Sequence, residues 1–282
     1  DGEFYVSDDV YVEVREAVAE FLTVASQAES ASSLGLALIE YEFNNSQVSD
    51  IVFQSTPPVE NGQIYALVQE SQNTGISIYN PNPEAVVIDF HIADATGSRL
   101  HTGQLSLPPA DQTTRFLNES PFSPGSANDL SSARSFSFSA SEPVAVAAVR
   151  TIPNERGDLL MTAVPIADLN QTGDPLTVPF YADGGGWQSE IQLVNPTDSN
   201  VYGTVQLFPK SEVGDSDFVY QIPPHSALAV KTDGLGAEAR TGWMQITPMD
   251  GTPSPAGSLM LLQKTNGVTT SLGTVYSTAP AS

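Results

Sequence analysis

The sequence predicts an all-β chain of tandem antiparallel sandwiches, and three observations carry that prediction. Apolar and polar residues alternate in short runs, turn-forming residues recur about every 8–15 positions, and the whole pattern repeats. The stretch GGGWQSEIQLVNPTD (184–198) illustrates the alternation. Ile191 and Leu193 fall on one face of the predicted strand and Gln192 and Val194 on the other, so one face is expected to be buried. Asn195-Pro196 ends the strand. Gly184, Gly185 and Gly186 read as a bend or bulge at a domain entrance. The alternative is a loop that cradles a ligand, with Trp187 as its platform.

The repeat defines the domains. GISIYNPNPEAVVIDFHI (75–92) matches EIQLVNPTDSNVYGTVQLF (190–208), with Asn80-Pro81 recurring as Asn195-Pro196, 115 residues on. Pro108-Pro109 recurs as Pro223-Pro224 at the same spacing. SFSFSASEPVAVAAVR (135–150) faces WMQITPMDGTPSPAGSLMLLQ (243–263) with a gap. Each unit reads as short strands separated by Asn-Pro, Pro-Pro and Pro/Gly turns, the spacing of a sandwich about 100 residues long. Two whole sandwiches are therefore predicted, 61–169 and 176–282. The polar segment NQTGDP (170–175) links them, and STPPVENG (55–62) precedes them.

Residues 1–60 look like the back half of a third unit. REAVAEFLTVASQA (15–28) has a helix-favouring composition. However, 21–40 aligns with 243–262 at a spacing of 222, and VFQSTPP (52–58) aligns with VYSTAPA (275–281) at 223. Segment 15–28 is thus expected to be a strand edge plus a strand. A sheet without its front strands exposes unpaired backbone and an apolar face. Either the chain begins inside a longer repeat protein, or another subunit supplies strands by β-augmentation. In the second case Phe4, Val6, Val10 and Val12 are the candidate interface residues.

Composition narrows the function. Acidic residues outnumber basic ones 33 to 10, a net charge of −23, which opposes nucleic acid and anionic lipid. There is no cysteine, so disulfides, thiolate metal sites and cysteine nucleophiles are excluded. Ser, Thr, Asn, Gln, Gly and Pro dominate the polar positions, and lysine occurs only at 210, 231 and 264, which suits an extracellular β-protein. No run of about 18 apolar residues is present, so no membrane span is expected. Asp1-Gly2 opens without Met or an apolar leader, as after removal of a signal peptide or within a longer chain.

Catalytic signals are weak. His91, His101 and His225 have neither the spacing of a zinc site nor a G-x-S-x-G partner motif, and read as surface or strand histidines. SDD (7–9), GDSD (214–217), Asp233-Gly234 and Asp250-Gly251 would suit loose Ca²⁺ binding, but Asp-Gly is also ordinary turn chemistry. No cofactor is expected. Arg150 and Arg156 read as strand-end ion pairs with Glu155 or Asp158. Trp243 aligns near Phe136 and is expected in the core, which leaves Trp187 as the better ligand candidate.

The stretch PFYADGGGWQSEIQLVNPTDSNVYGTVQLF with YQIPPHSALAVKTDG (179–234) resembles a repeat of secreted bacterial cell-surface proteins. TGISIYNP, LPPADQTTRFLNE and SEPVAVAAVRTIPNERGDLLMTAVPIADL are similar to a sister type of that repeat. The resemblance covers most of 61–282 and implies exported, structural sandwiches of the immunoglobulin or fibronectin III type, with no assigned chemistry. The resulting expectation is a non-enzymatic filament, sheath or surface-stalk component that assembles with other copies of itself by strand pairing. The alternative is a carbohydrate-binding or adhesive surface module using Trp187 and the glycine loop.

Overall fold

In a computed structural model the described residues are 36–278, apart from 44–45, 55–56, 70, 124–129, 168, 170–172 and 209–216. The segment 15–28 and the residues Phe4, Val6, Val10 and Val12 lie outside them. The described chain is all-β. Strands β1 (Leu36–Phe43) and β2 (Ser46–Gln54) form an antiparallel hairpin. The next unit contains β3 (Val59–Tyr65), β4 (Val68–Gln69), β5 (Gln72–Tyr79), β6 (Val86–Asp94), β7 (Arg99–Leu107), β8 (Gln112–Phe116), β9 (Ala133–Pro153) and β10 (Leu159–Val164). The last contains β11 (Leu176–Asp183), β12 (Trp187–Val194), β13 (Val201–Phe208), β14 (Phe218–Ile222), β15 (Ala227–Lys231), β16 (Arg240–Pro248), β17 (Ala256–Thr265) and β18 (Val268–Tyr276).

Both units have the same topology. In the last, sheets β11-β16-β13-β14 and β15-β12-β17-β18 enclose one core of Val178, Ile191, Leu193, Val205, Tyr220, Met244, Ile246 and Leu259. In the unit before it the equivalent orders are β3-β9-β6-β7 and β8-β5-β9-β10. The 21-residue β9 serves both sheets, doing in one strand what β16 and β17 do in two. The core between these sheets is built from Ile64, Ile76, Ile78, Ile88, Phe90, Ile92, Phe136, Phe138 and Val146, all with their side chains inward at alternate positions.

The Asn-Pro turns anchor the two cores identically. Asn80 Nδ2 donates to the carbonyls of Glu84, Leu107 and Pro108 at 2.8–3.0 Å. Asn195 Nδ2 donates to those of Ser199, Ile222 and Pro223 at 2.8–3.0 Å. Every partner is displaced by the same 115 residues. Both asparagines are fully buried, and each ties the end of a strand to the Pro-Pro corner across the sandwich. A second pair repeats in the same way. Leu67 N and O bond to the Thr74 hydroxyl, and Ala182 N and O to the Ser189 hydroxyl.

The terminal hairpin occurs three times. The cross-strand pairs Ile39↔Ile51, Arg150↔Thr162 and Leu261↔Gly273 are spaced by 111 residues. In β1–β2 and β17–β18 the register agrees pair for pair, including the irregularities at Tyr41/Glu42 and Gln263/Lys264. The three hairpins are neighbours in space, with β2 lying against β10 and β10 against β18.

Strand β12 departs from the one-sided burial expected of it. Ile191 and Leu193 enter the core, but Glu190, Gln192 and Val194 on the opposite face are also buried. The neighbouring sandwich covers them, and Val194 packs with Tyr65, Leu67, Ala167 and Ala227.

Replacing Asn80 or Asn195 by Ala removes one donor from three carbonyls. Each change should lower the unfolding free energy by about 2–3 kcal/mol in urea titrations. A loss below about 0.5 kcal/mol, the range of an ordinary surface change, would contradict the anchoring role.

Candidate functional site

The junction between the two sandwiches buries a cluster of polar and charged side chains, Gln63, Arg150, Glu190 and Gln192 among them. Its first part is apolar: Ile152 meets Met260, Leu262 and Leu272. Around it, Asn154 Nδ2 donates to Thr269 O at 2.9 Å, and Thr274 Oγ1 to Ala163 O at 2.7 Å. Glu155 accepts from Thr269 N at 2.7 Å and pairs with Lys264 at 2.8 Å; the lysine contact and the Thr269 amide hold its carboxyl near 2. The expected partnership of Arg156 with Asp158 is present at 2.8 Å. Arg150 is different. It is no strand-end surface pair but a fully buried side chain, 0% exposed.

The Arg150 guanidinium donates from Nη2 to Tyr65 O at 3.1 Å and lies 5.0 Å from the Tyr65 ring centroid, while Nε and Nη1 have no partner. Burial lowers its pKa, and the nearby Tyr65 and Glu190 oppose that shift. Glu190, 2% exposed, belongs to the other sandwich. Its carboxylate holds Lys231 at 3.0 Å and accepts from Gln192 at 3.0 Å. Opposite charges from two sandwiches are thus buried at one joint, where their field is weakly screened.

The second part of the junction is a cleft of about 740 Å³ over the outer face of the sheet β3-β9-β6-β7. Strand register sets its floor as two rows. Gln63, Ser137, His91 and Thr102 are cross-strand neighbours, and so are Asn61, Ser139, Asp89 and Gln104. Arg99 and Leu169 add to the lining, and Pro196 and His225 close one side from the last sandwich. That side is fixed by three contacts. Ser135 Oγ donates to His225 O at 2.6 Å, Ser226 Oγ to Asp94 O at 3.0 Å, and Gln63 Nε2 to Ser226 O at 3.5 Å.

His91 and His225, far apart in sequence, meet edge to face with ring centroids 5.8 Å apart. Burial chiefly, with Arg99 and His225 adding, lowers His91 to about 4, so it is neutral near pH 7. His225 Nε2 sits 2.7 Å from Asp198 Oδ1. Gln63 Oε1, Ser137 Oγ and His91 Nε2 are buried without a hydrogen-bond partner. Each such atom costs about 1–3 kcal/mol relative to a satisfied one. The sequence offered no signal for this site, because polar residues at alternate strand positions look like an ordinary solvent face.

The residues singled out from the sequence lie elsewhere. Gly184 N donates to Trp187 O at 3.0 Å and Trp187 N to Gly184 O at 2.9 Å, closing a two-residue turn. Gly185 and Gly186, at φ 59° and 91°, supply the positive dihedrals of a type I′ turn. Backbone packs directly on them: a Cβ at Gly185 would stand 2.6 Å from Ala239 N. Gly184 and Gly185 therefore accommodate the chain's own loop 235–239 and Gly186 the backbone of Lys264, and Trp187, partly buried, begins β12 opposite Gln263.

Trp243 is not in the core. It is 39% exposed and stacks on Phe208 at 4.2 Å. The register makes Met244 the equivalent of Phe136 and Trp243 that of Ser135, because Phe136 pairs with Ile92 and Met244 with Leu207. An alignment one residue out reverses the face of every side chain.

Of the acidic turns, 7–9 and 214–216 are outside the described residues, Asp217 accepts from Gln206, and Asp233 caps Leu235 N. Among the described residues no three His, Asp or Glu side chains converge as metal ligands. No helix there is long and apolar enough to cross a membrane.

The sequence matches no family model and no curated protein. Among solved structures it is similar to a β-glucuronidase of glycoside hydrolase family 2, at 11% identity and TM-score 0.18, over 76% of this chain and 23% of that one. It is also similar to Bacteroides uniformis β-glucuronidase 2, at 9% identity and TM-score 0.17, over 78% and 26% of the two chains. The chain thus spans about a quarter of the length of these enzymes.

Histidine linkage gives a test of the cleft's structure. An unfolded chain protonates His91 near 6.5, the folded one only near 4. Stability should therefore fall as pH drops through that window and level off below it. Thermal unfolding of a His91→Gln variant should show a shallower decline between those pH values than the parent. Equal slopes would mean that His91 is not held neutral.

Proposed function

We propose that this chain is a non-catalytic structural component of an extracellular surface assembly, a stalk or filament element built from interlocked β-sandwich repeats. The observation that carries the reading is the hairpin that recurs every 111 residues and packs each copy on the next. A chain whose successive units share buried apolar and charged contacts resists bending at its joints, unlike domains on free linkers. Its lack of cysteine, its few lysines and its large negative charge suit secretion. Other copies of the chain are the proposed partners. Joining by strand pairing is proposed from the partial repeat in 1–60, with Phe4, Val6, Val10 and Val12 as contact residues.

Two measurements address this. Small-angle scattering of the full chain should report one rigid shape. Met260→Asp, which places a charge in the apolar joint, should enlarge the radius of gyration while leaving strand content unchanged. A flexible parent chain would sink the rigid-element reading. For assembly, electron microscopy should show end-to-end particles that vanish when residues 1–60 are deleted. Monomers alone, or oligomers that persist after the deletion, would count against strand pairing.

A further inference from the structure

We infer that the cleft over β3-β9-β6-β7 is a binding site for a neutral, hydroxyl-rich ligand such as an oligosaccharide, because two rows of hydrogen-bonding side chains, amides and hydroxyls foremost, line it and three adjacent members of one row each carry an atom without a partner. The unpartnered atoms are Gln63 Oε1, Ser137 Oγ and His91 Nε2, on neighbouring strands β3, β9 and β6. Gln63 is fully buried and Ser137 nearly so. Buried polar atoms are normally satisfied. Three exceptions side by side on one cleft mark a place where hydrogen-bonding groups are to be supplied from outside the chain.

The lining chooses among ligand classes. One carboxylate, Asp89, and one guanidinium, Arg99, leave no formal charge excess in a protein whose net charge is −23. A phosphate or sulfate needs a surplus of cations, and a divalent metal needs several carboxylates. Neither surplus is there. An apolar ligand needs an apolar wall, yet the rings of Phe90 and Phe138 belong to the core beneath. A peptide adding as a strand needs a free edge, whereas this is the face of a sheet whose backbone groups are already paired. Amides, hydroxyls and a neutral imidazole remain. They match groups that donate and accept at once, which are hydroxyls. The volume, about 740 Å³, falls within the range of small-ligand pockets, about 300–1,000 Å³. The site depends on the last sandwich, since Pro196 and His225 form one wall.

The test uses the full chain on an array of defined neutral oligosaccharides (cello-, malto-, xylo-, manno- and chito-series), with heparin fragments and random peptides alongside. Calorimetric titration follows for any saccharide retained. The expected result is saturable binding of at least one neutral series. Ser137→Ala and Gln104→Ala should each weaken it about tenfold, the worth of one good hydrogen bond. Ser137→Ala should do so with an unchanged or raised melting temperature, because the hydroxyl it removes has no partner in the free protein. Trp187→Ala should leave binding intact, which separates this cleft from a platform at the glycine turn. No binding by any neutral series, binding only of heparin or peptide, or affinity undiminished in both cleft variants would overturn the inference. These outcomes do not depend on whether the chain polymerises.

Discussion

The outward face of β12 is covered by the neighbouring sandwich, and that second burial fixes how the two sandwiches meet. A strand of an antiparallel sandwich ordinarily spends one face on the core and leaves the other wet. Here Glu190 and Gln192 leave water as well. A buried carboxylate is tolerable only with compensation, and Lys231, Gln192 and the opposing Arg150 supply it. The two sandwiches are therefore held at one angle by electrostatics as well as by Val194, Met260 and Leu262.

Everything at the junction follows from that fixed angle. The Pro-Pro corner of the last sandwich is brought down on Ser135 and the β6–β7 turn, so that His225 meets His91. A polar sheet face that would otherwise be open becomes the floor of a cleft. Within the chain the same corner occurs 115 residues earlier, where Ala110 has φ 53° as His225 has φ 54°. The corner is thus a property of the repeat, whereas the cleft is a property of two repeats placed together.

Differences between the repeats are equally local. Ser135 is small and buried beneath the neighbouring sandwich, while its equivalent Trp243 rests on Phe208 at a half-open surface. Arg150 stands where the last unit has Leu261 and the first hairpin Ile39. One backbone position therefore takes an apolar residue in two copies and a buried cation in the third. There Tyr65 O and the field of Glu190 receive it.

The β-class, the strand that Asn195-Pro196 ends with Ile191 and Leu193 on one face, and the recurrence of Asn80 as Asn195 are legible in the residues themselves. All of these rest on local signals: alternation with period two, and side chains whose turn chemistry is set within a few residues. The folded arrangement buries Glu190 and Arg150, turns Trp243 outward, packs backbone against the glycine turn, and sets Gln63, Ser137 and His91 in one row. Those outcomes depend on the register between strands distant in sequence and on the contact of one sandwich with the next. A single residue of register reverses a face, and no pattern within one strand records what will be laid against it.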